Sequence, residues 1–323
     1  MFWIFRAARR LRELGILGMN RRNAACILDH NPRARFPLVD DKLRMHELCG
    51  QIGVASPRVH AVVRTHSTLR RLPELLGDRA DFVIKPNQGS AGRGVLVVVG
   101  RLGPNYLRHN GEVLTLDALR QHISDVLSGM YSLGGRPDQA LVQQRIRLHP
   151  AFEAIAYRGI PDVRVILYRN EPAMAMLRLP TLQSGGRANL HQGGIGAGVD
   201  LASGITHHAV QHNRLVTAHP DTHVQVLGMR VPYWDRILTM SRAVAEAVGL
   251  GYIGVDIVVD ADEGPMLLEA NARPGLAIQI ANGCGLLPAL EAIDERLGSA
   301  PSPRSLDWLR RAIPVPDRSR HAA

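Results

Sequence analysis

The stretch Phe82-Val83-Ile84-Lys85-Pro86-Asn87-Gln88-Gly89-Ser90-Ala91-Gly92-Arg93-Gly94-Val95 sets a lysine just ahead of three spaced glycines. Glycine has no Cβ, so its backbone N–H can turn in toward a phosphate. A nucleotide P-loop places its lysine after the glycines and runs into a helix. Here the lysine comes first and β-branched residues follow. The pattern spells strand, glycine loop, strand: a flap able to fold over phosphates, with Lys85 reaching them from beneath. A plain flexible hairpin is the alternative. A second stretch pairs Gly254–Val259 with Leu267–Asn271. A turn centred near residues 262–263 sets Asp256 opposite Glu269, and the two-residue period of a strand puts Asn271 on the face of Glu269. Facing carboxylates among apolar neighbours repel, and burying them unpaired is costly or forces a proton onto one of them. A divalent cation removes that conflict, and two carboxylates with an amide oxygen suit Mg²⁺. A solvent-facing acidic pair is the alternative.

Arginines accompany both stretches. Arg164 follows Asp162 closely on one predicted strand, Arg178 ends the next, and Arg187 and Asn189 stand in a glycine-rich segment. Arg273 follows Asn271, and we expect it on the same strand face. Phosphoryl transfer needs charge stabilisation and positioning of this kind. In so arginine-rich a chain, a surface position is the alternative for each, most of all for Arg178. Lysine is nearly absent: of 39 basic residues only Lys42 and Lys85 are lysine. Codon bias toward arginine explains most positions. A compact ammonium on a flexible stem is nevertheless a different tool from a planar guanidinium, which marks out the two exceptions.

The elements that must carry these residues are readable in outline. Residues 1–22 suit an amphipathic basic helix. Asp40-Asp41 can cap a helix from Lys42 to about Gln51, broken by Gly53 and Pro57. Strands are expected at 58–63, Phe82–Lys85, Val95–Val99 and Ala140–Ile146, and helices at Thr68–Leu76 and 116–127. Further on, Val163–Tyr168 and Ala173–Leu177 flank an Asn170-Glu171-Pro172 turn. Residues 181–198 read as a long lid or binding loop. Trp234–Val248 reads as a helix stopped by Gly249, and Ile253–Val259 with Met266–Ala270 as a hairpin. The last 25 residues read as a loosely attached tail.

Composition narrows the function classes. Hydrophobic residues make up 46% and charged residues 21%, which excludes global disorder. No apolar run reaches the ~20 residues of a membrane span. The opening Met1–Phe5 is followed by arginines, the reverse of a secretory signal. Aromatics at 4% are too few for a stacking platform on single-stranded nucleic acid. The net charge of +10 lies mostly at the ends: residues 1–22 hold six Arg and one Glu, residues 299–323 five Arg and two Asp. That speaks against a specific nucleic-acid groove and leaves open a weak membrane-surface or acidic contact through residues 1–22. Cys26, Cys49 and Cys284 read as reduced core residues of a cytoplasmic protein. His207, His208 and His212 read as a solvated turn in preference to a metal cluster, since no carboxylate or thiolate joins them at a recognisable spacing.

Taken together these residues resemble an ATP-grasp ligase. The resemblance runs from Asp41-Lys42 to about Asn282. It follows the family's order: a helix-borne lysine, I-K-P-x-x-G-S-x-G-x-G-V, Q-Q-x-I, D-V-R-V, R-A-N-L-H-x-G-G, G-V-D-I and L-E-A-N-A-R-P-G-L. The wording is most similar to alpha-L-glutamate ligase-like proteins, relatives of the ligases that add glutamate to a ribosomal protein.

The resemblance implies an α+β ATP-grasp fold, with nucleotide held between two subdomains of mainly antiparallel sheet. It implies a division into a basic extension (1–40), a flap subdomain (41–145), a metal-hairpin subdomain (146–292) and a tail (293–323). It makes Lys42 and Lys85 the ATP-phosphate lysines and Gly89, Ser90, Gly92 and Gly94 the flap. Gln143, Gln144 and Ile146 match the adenine hinge, Asp162 a ribose contact, and Arg187 and Asn189 positions near the terminal phosphate. Asp256, Glu269 and Asn271 match the magnesium ligands. Arg187, Arg164 and Arg273 are the expected catalytic cations. The implied cofactors are ATP and Mg²⁺, with Mn²⁺ able to substitute. The implied partners are an amino acid and a peptide or protein. Many relatives begin with a separate substrate domain, whereas only about 40 residues precede Lys42 here. The implied reaction is acylphosphate-mediated joining of a carboxylate to an amine. A nucleotide-binding scaffold without turnover, or a phosphotransferase, is the alternative.

Overall fold

The computed structural model describes Arg6 and residues 9–11, 13–89, 92–132 and 134–298. Strands β1 (Val59–Val63), β2 (Phe82–Pro86), β3 (Leu96–Leu102), β4 (Asn105–Arg108), β5 (Val113–Leu114) and β6 (Ala140–Gln143) build one antiparallel sheet, in the order β1-β6-β2-β3-β4-β5. Strands β7 (Asp162–Tyr168), β8 (Glu171–Leu179), β9 (Ile195–Val199), β10 (Thr206–Gln211), β11 (Arg214–Leu215), β12 (Tyr252–Asp260) and β13 (Gly264–Asn271) build a second antiparallel sheet, ordered β11-β10-β9-β8-β7-β12-β13. Among the described residues the helices of ten residues or more are α1 (Lys42–Gln51), α2 (Leu116–Leu127), α3 (Trp234–Val248) and α4 (Leu287–Arg296). The architecture is α+β, with two antiparallel sheets.

Each sheet owns a core. In α2, Leu119, Ile123 and Val126 recur at helical spacing and are buried against Phe82, Ile84 and Val142 of the first sheet. Thr115 caps this helix by accepting from the Ala118 N–H at 3.1 Å. In α3, Ile237, Met240, Val244 and Val248 pack with Val165, Ile253 and Val255 of the second sheet. Met45 and Cys49 of α1 also lie in this larger core. The helix that presents Lys42 is therefore anchored to the second sheet while its lysine reaches toward the first.

Several expectations need correction. The basic first helix is not continuous: residues 14–18 leave the helix, and Gly15 adopts φ +68°. A Cβ there would sit 2.6 Å from Pro288 Cδ, so this turn is shaped by contact with α4. The β7–β8 turn falls one residue early, on Arg169 and Asn170, both at positive φ as a tight two-residue hairpin requires. The strand from Ala140 ends at Gln143, not at Ile146. Residues 195–199 are not part of a lid but the buried strand β9. Cys284 is exposed, unlike Cys26 and Cys49. Residues 293–296 of the expected tail belong to α4, with Ile293 buried; residues 299–323 lie outside the described residues.

Candidate active site

Asp41 accepts a hydrogen bond from the Arg44 N–H at 3.0 Å and so starts α1. That start fixes the neighbouring Lys42, whose Nζ donates to the carbonyls of Asn87 (3.2 Å) and Gly89 (2.6 Å). The Leu43 N–H donates to the buried Asn87 side chain at 2.9 Å, a second tie between α1 and the root of the flap. Lys85, near the end of β2, is 8% exposed. Burial first, and the positive charge of Lys42 second, pull its ammonium down from 10.5 to about 7, with Glu269 opposing. Burial also lowers Lys42, again opposed chiefly by Glu269. Lys42, Lys85, Gln143 and Glu269 line one cleft with His46 and Leu267 of β13. The two lysines are thus brought together although 43 positions apart in sequence.

The flap is built as its glycines demand. Gly92 and Gly94 adopt φ of +70° and +72°, which favour glycine. A Cβ on Gly94 would meet the Tyr131 ring at 2.5 Å, and His122 Nε2 lies 3.0 Å from the Gly94 carbonyl oxygen. Arg187 comes up to the flap: a Cβ on Gly92 would lie 3.5 Å from its Cδ. Ser90, also expected in the flap, lies outside the described residues.

The carboxylate hairpin has the expected register. Asp256 faces Glu269, and Asn271 lies opposite Gly254. Asp256 is fully buried and Glu269 partly so. The electrostatic conflict is resolved by a device not anticipated. Arg164 lies opposite Asp256 on β7 and donates Nε to Oδ1 (2.6 Å) and a terminal nitrogen to Oδ2 (2.5 Å). Arg178 on β8 donates to the same Oδ2 at 2.8 Å and through Nε to Asp162, its cross-strand partner. Burial alone would raise the Asp256 carboxyl, but the two guanidiniums outweigh it and hold the group well below the ordinary range. Asp162 is raised, by burial first and with Asp256 adding to it, against the pull of Arg178. Arg178 is therefore an integral part of the site that sequence reasoning undervalued. Its position at the end of β8 was readable, but the placing of β12 on the far side of β7, which brings Asp256 to it, was not.

The donor set fits a divalent ion in part. Among the described residues Glu269 has no ion-pair contact, and it accepts from Asn271 Nδ2 at 3.3 Å. Asn271 also points this amide at Asp256 Oδ2, 3.4 Å away, so ligation would require the amide to turn its oxygen inward. Asp256 already receives two guanidiniums. Among the described residues no group of three or more His, Cys, Asp or Glu is arranged to hold a metal. Glu269 and Asn271 are the residues best placed to hold the ion; Asp256 could join only by loosening its arginines.

Other expected residues are placed as follows. Gln143 lines the cleft, but Gln144 turns away, donating to Glu263 Oε1 at 2.7 Å and accepting from the Arg58 N–H. Ile146 is half-buried beyond the end of β6. Asn189 uses its oxygen to accept from the His191 N–H, shaping the turn after Arg187. Arg273 is not on the hairpin face: β13 ends at Asn271, and the Arg273 guanidinium stacks 4.7 Å from the Phe36 ring centre. The three histidines do not make one turn: His207 and His208 lie on strand β10 and contact Asn282 and Ala281, and His212 stands in the turn after it and contacts Gln183.

Two antiparallel sheets with a lysine-lined cleft and a glycine flap between them define an ATP-grasp protein. The family model described as sugar-transfer associated ATP-grasp matches residues 21–295, and the chain belongs to that family. No curated protein sequence matches the chain. Among solved structures, the ATP-grasp ligase PsnB complexed with minimal precursor is similar at 16% identity and TM-score 0.44, over 83% of this chain and 64% of that one. D-cycloserine synthetase DcsG is similar at 15% identity and TM-score 0.45, over 82% and 73%. The D-alanine–D-alanine ligase from Bacillus anthracis complexed with ATP is similar at 16% identity and TM-score 0.47, over 81% and 66%. The chain thus spans 64% of the length of PsnB. No helix among the described residues is long and apolar enough to cross a membrane.

Proposed function

We propose that the protein is an ATP- and Mg²⁺-dependent ligase that joins a carboxylate to an amine through an acylphosphate. The observation that carries this reading is the convergence of Lys42 and Lys85 on one cleft, beneath the flap and beside Glu269. A carboxylate is a poor electrophile at neutral pH. Its oxygen attacks the γ-phosphorus of ATP and ADP leaves; the amine then attacks the acyl carbon and phosphate leaves, forming the amide. Lys85 and Lys42 would hold the phosphates, with Lys42 also fixing the root of the flap. Arg187 approaches Gly92 of the flap and would meet the transferring group. Glu269 and Asn271 would hold Mg²⁺, which when bound supplies charge neutralisation on the phosphates. No side chain need act as nucleophile.

The finer reading is that glutamate or a similar amino acid is joined to a peptide or protein, as the resemblance to alpha-L-glutamate ligase-like proteins implies. The family's association with sugar transfer also fits an acceptor that carries a sugar. One observation favours the scaffold alternative: Asp256 is already neutralised by arginines, so the hairpin does not need a metal to be stable. The deciding experiment incubates the protein with ATP, Mg²⁺ and pools of amino acids, short peptides and amino sugars. ADP that appears only with a pool, together with a product heavier by an amide condensation, supports the ligase. Nucleotide binding without ADP formation supports the scaffold, and a stable phosphoester supports a phosphotransferase.

A further inference from the structure

The flap is met from the second sheet by two backbone segments locked together. A Cβ on Gly159 would lie 2.0 Å from the Gly186 carbonyl oxygen, and one on Gly186 would lie 2.5 Å from the Arg158 carbonyl oxygen. The two loops therefore touch backbone to backbone, and both glycines are needed for the approach. This contact holds Arg158 at φ +48°, a left-handed conformation that L side chains seldom adopt. The next residue after Gly186 is Arg187, whose Cδ approaches Gly92, and Arg93 follows Gly92 in the flap. Arg93, Arg158 and Arg187 are all exposed, and none has a carboxylate partner among the described residues. By contrast Arg164 and Arg178, deeper in the same site, are fully committed to Asp256 and Asp162. On the facing sheet, just after β4, the His109 imidazole is lowered by burial first and then by the charges of Arg108 and Arg158, which places Arg158 within electrostatic reach of that sheet.

The Arg158 guanidinium lies over the Tyr157 ring, 5.5 Å from its centre, and the other two stand on the adjoining segments; guanidiniums take compact oxyanions by forked, charge-assisted hydrogen bonds. We propose that Arg93, Arg158 and Arg187 form a rim that binds an anionic group, phosphate or carboxylate, carried by the acceptor substrate. This rests on the ligase reading, because it makes the rim the entrance for the second substrate. It also explains why arginine stands at a backbone position better suited to glycine.

The test uses the whole protein, with and without a non-hydrolysable ATP analogue and Mg²⁺. Three probes are titrated by ligand-observed NMR: glucose 1-phosphate, glutarate and, as a neutral control, glucose. We expect at least one anionic probe to bind the nucleotide-loaded protein, and glucose not to bind. Arg158→Gln should weaken that binding at least ~10-fold while leaving analogue affinity unchanged. Arg158→Gly should do the same with stability kept or raised, because it relieves the backbone strain. Preference between glucose 1-phosphate and glutarate identifies phosphate or carboxylate as the group recognised. Equal anion binding by wild type and both variants, or no anion binding at all, overturns the rim. Failure of the analogue itself to bind would instead overturn the ligase reading.

Discussion

Arg164 and Asp256 stand opposite each other in the β7–β12 ladder and are joined by two hydrogen bonds, 2.6 Å to Oδ1 and 2.5 Å to Oδ2. A buried carboxylate left without its partner is far costlier than the pair is beneficial. Arg164→Met should therefore destabilise the protein by about 3–5 kcal/mol. Denaturant unfolding measures this directly. A change near zero would mean that Arg178 alone satisfies Asp256.

Lys85 gives the site a proton linkage. Its folded pKa, about 7, lies below the ordinary 10.5, so between these values the unfolded chain binds more protons. This contribution makes stability rise with pH from about 7 toward 10.5, with the penalty fully present below that window. Lys85→Met should flatten the rise and stabilise the nucleotide-free protein at pH 7. Phosphates beside Lys85 favour its charged form. Nucleotide binding at pH 8 should then take up protons in the wild type and fewer in Lys85→Met, as read by calorimetry in buffers of different ionisation enthalpy. Equal uptake by both proteins would remove Lys85 from the linkage.

Among the described residues Glu269 is the hairpin carboxylate with no guanidinium in hydrogen-bond contact, although Arg178 lies near enough to feel its charge. Glu269→Gln should lower phosphate release by at least ~10²-fold, since one lost charge contact to a phosphoryl transition state costs ~3 kcal/mol. It should also raise the Mg²⁺ concentration needed for half-maximal rate. Near-wild-type turnover with an unchanged Mg²⁺ requirement would release Glu269 from the mechanism.

The two lysines differ in task. Lys85 has little room around it, whereas Lys42 also braces the carbonyls of Asn87 and Gly89. A guanidinium is wider and planar. Lys85→Arg should lose most of the activity and Lys42→Arg a smaller part, with melting temperatures confirming that both variants are folded. Full activity in Lys85→Arg would defeat the phosphate-cradle assignment.

What the sequence revealed, and what it hid, follows from the range of the interactions. Helices Leu116–Leu127 and Trp234–Val248 were legible to the residue, because their apolar spacing and the terminal Gly249 act locally. The Asp256–Glu269 pairing was legible because a short turn sets hairpin register. Strand β9 was not: Gly196 and Gly198 look like loop residues, yet a Cβ on Gly196 would meet Leu190 and Ala281, and one on Gly198 would meet Ala281 and Asn282. A Cβ on Gly198 would sit 2.6 Å from Asn282 Oδ1. The role of Arg178 was hidden for a similar reason. Its partner Asp256 lies 78 positions away, and only the strand order β8-β7-β12 brings them together. Arg273 misled because strand periodicity was extended past the actual end of β13.

The central claim is that a carboxylate oxygen attacks the terminal phosphate of ATP. The most direct measurement supplies ATP and Mg²⁺ with amino-acid and peptide substrates whose carboxyl oxygens are all ¹⁸O, and weighs the released phosphate. The account predicts that each phosphate released with amide formation carries one ¹⁸O atom, left behind when the amine displaces it from the acylphosphate. Unlabelled phosphate accompanying product, or a stable phosphoester in place of an amide, would contradict it.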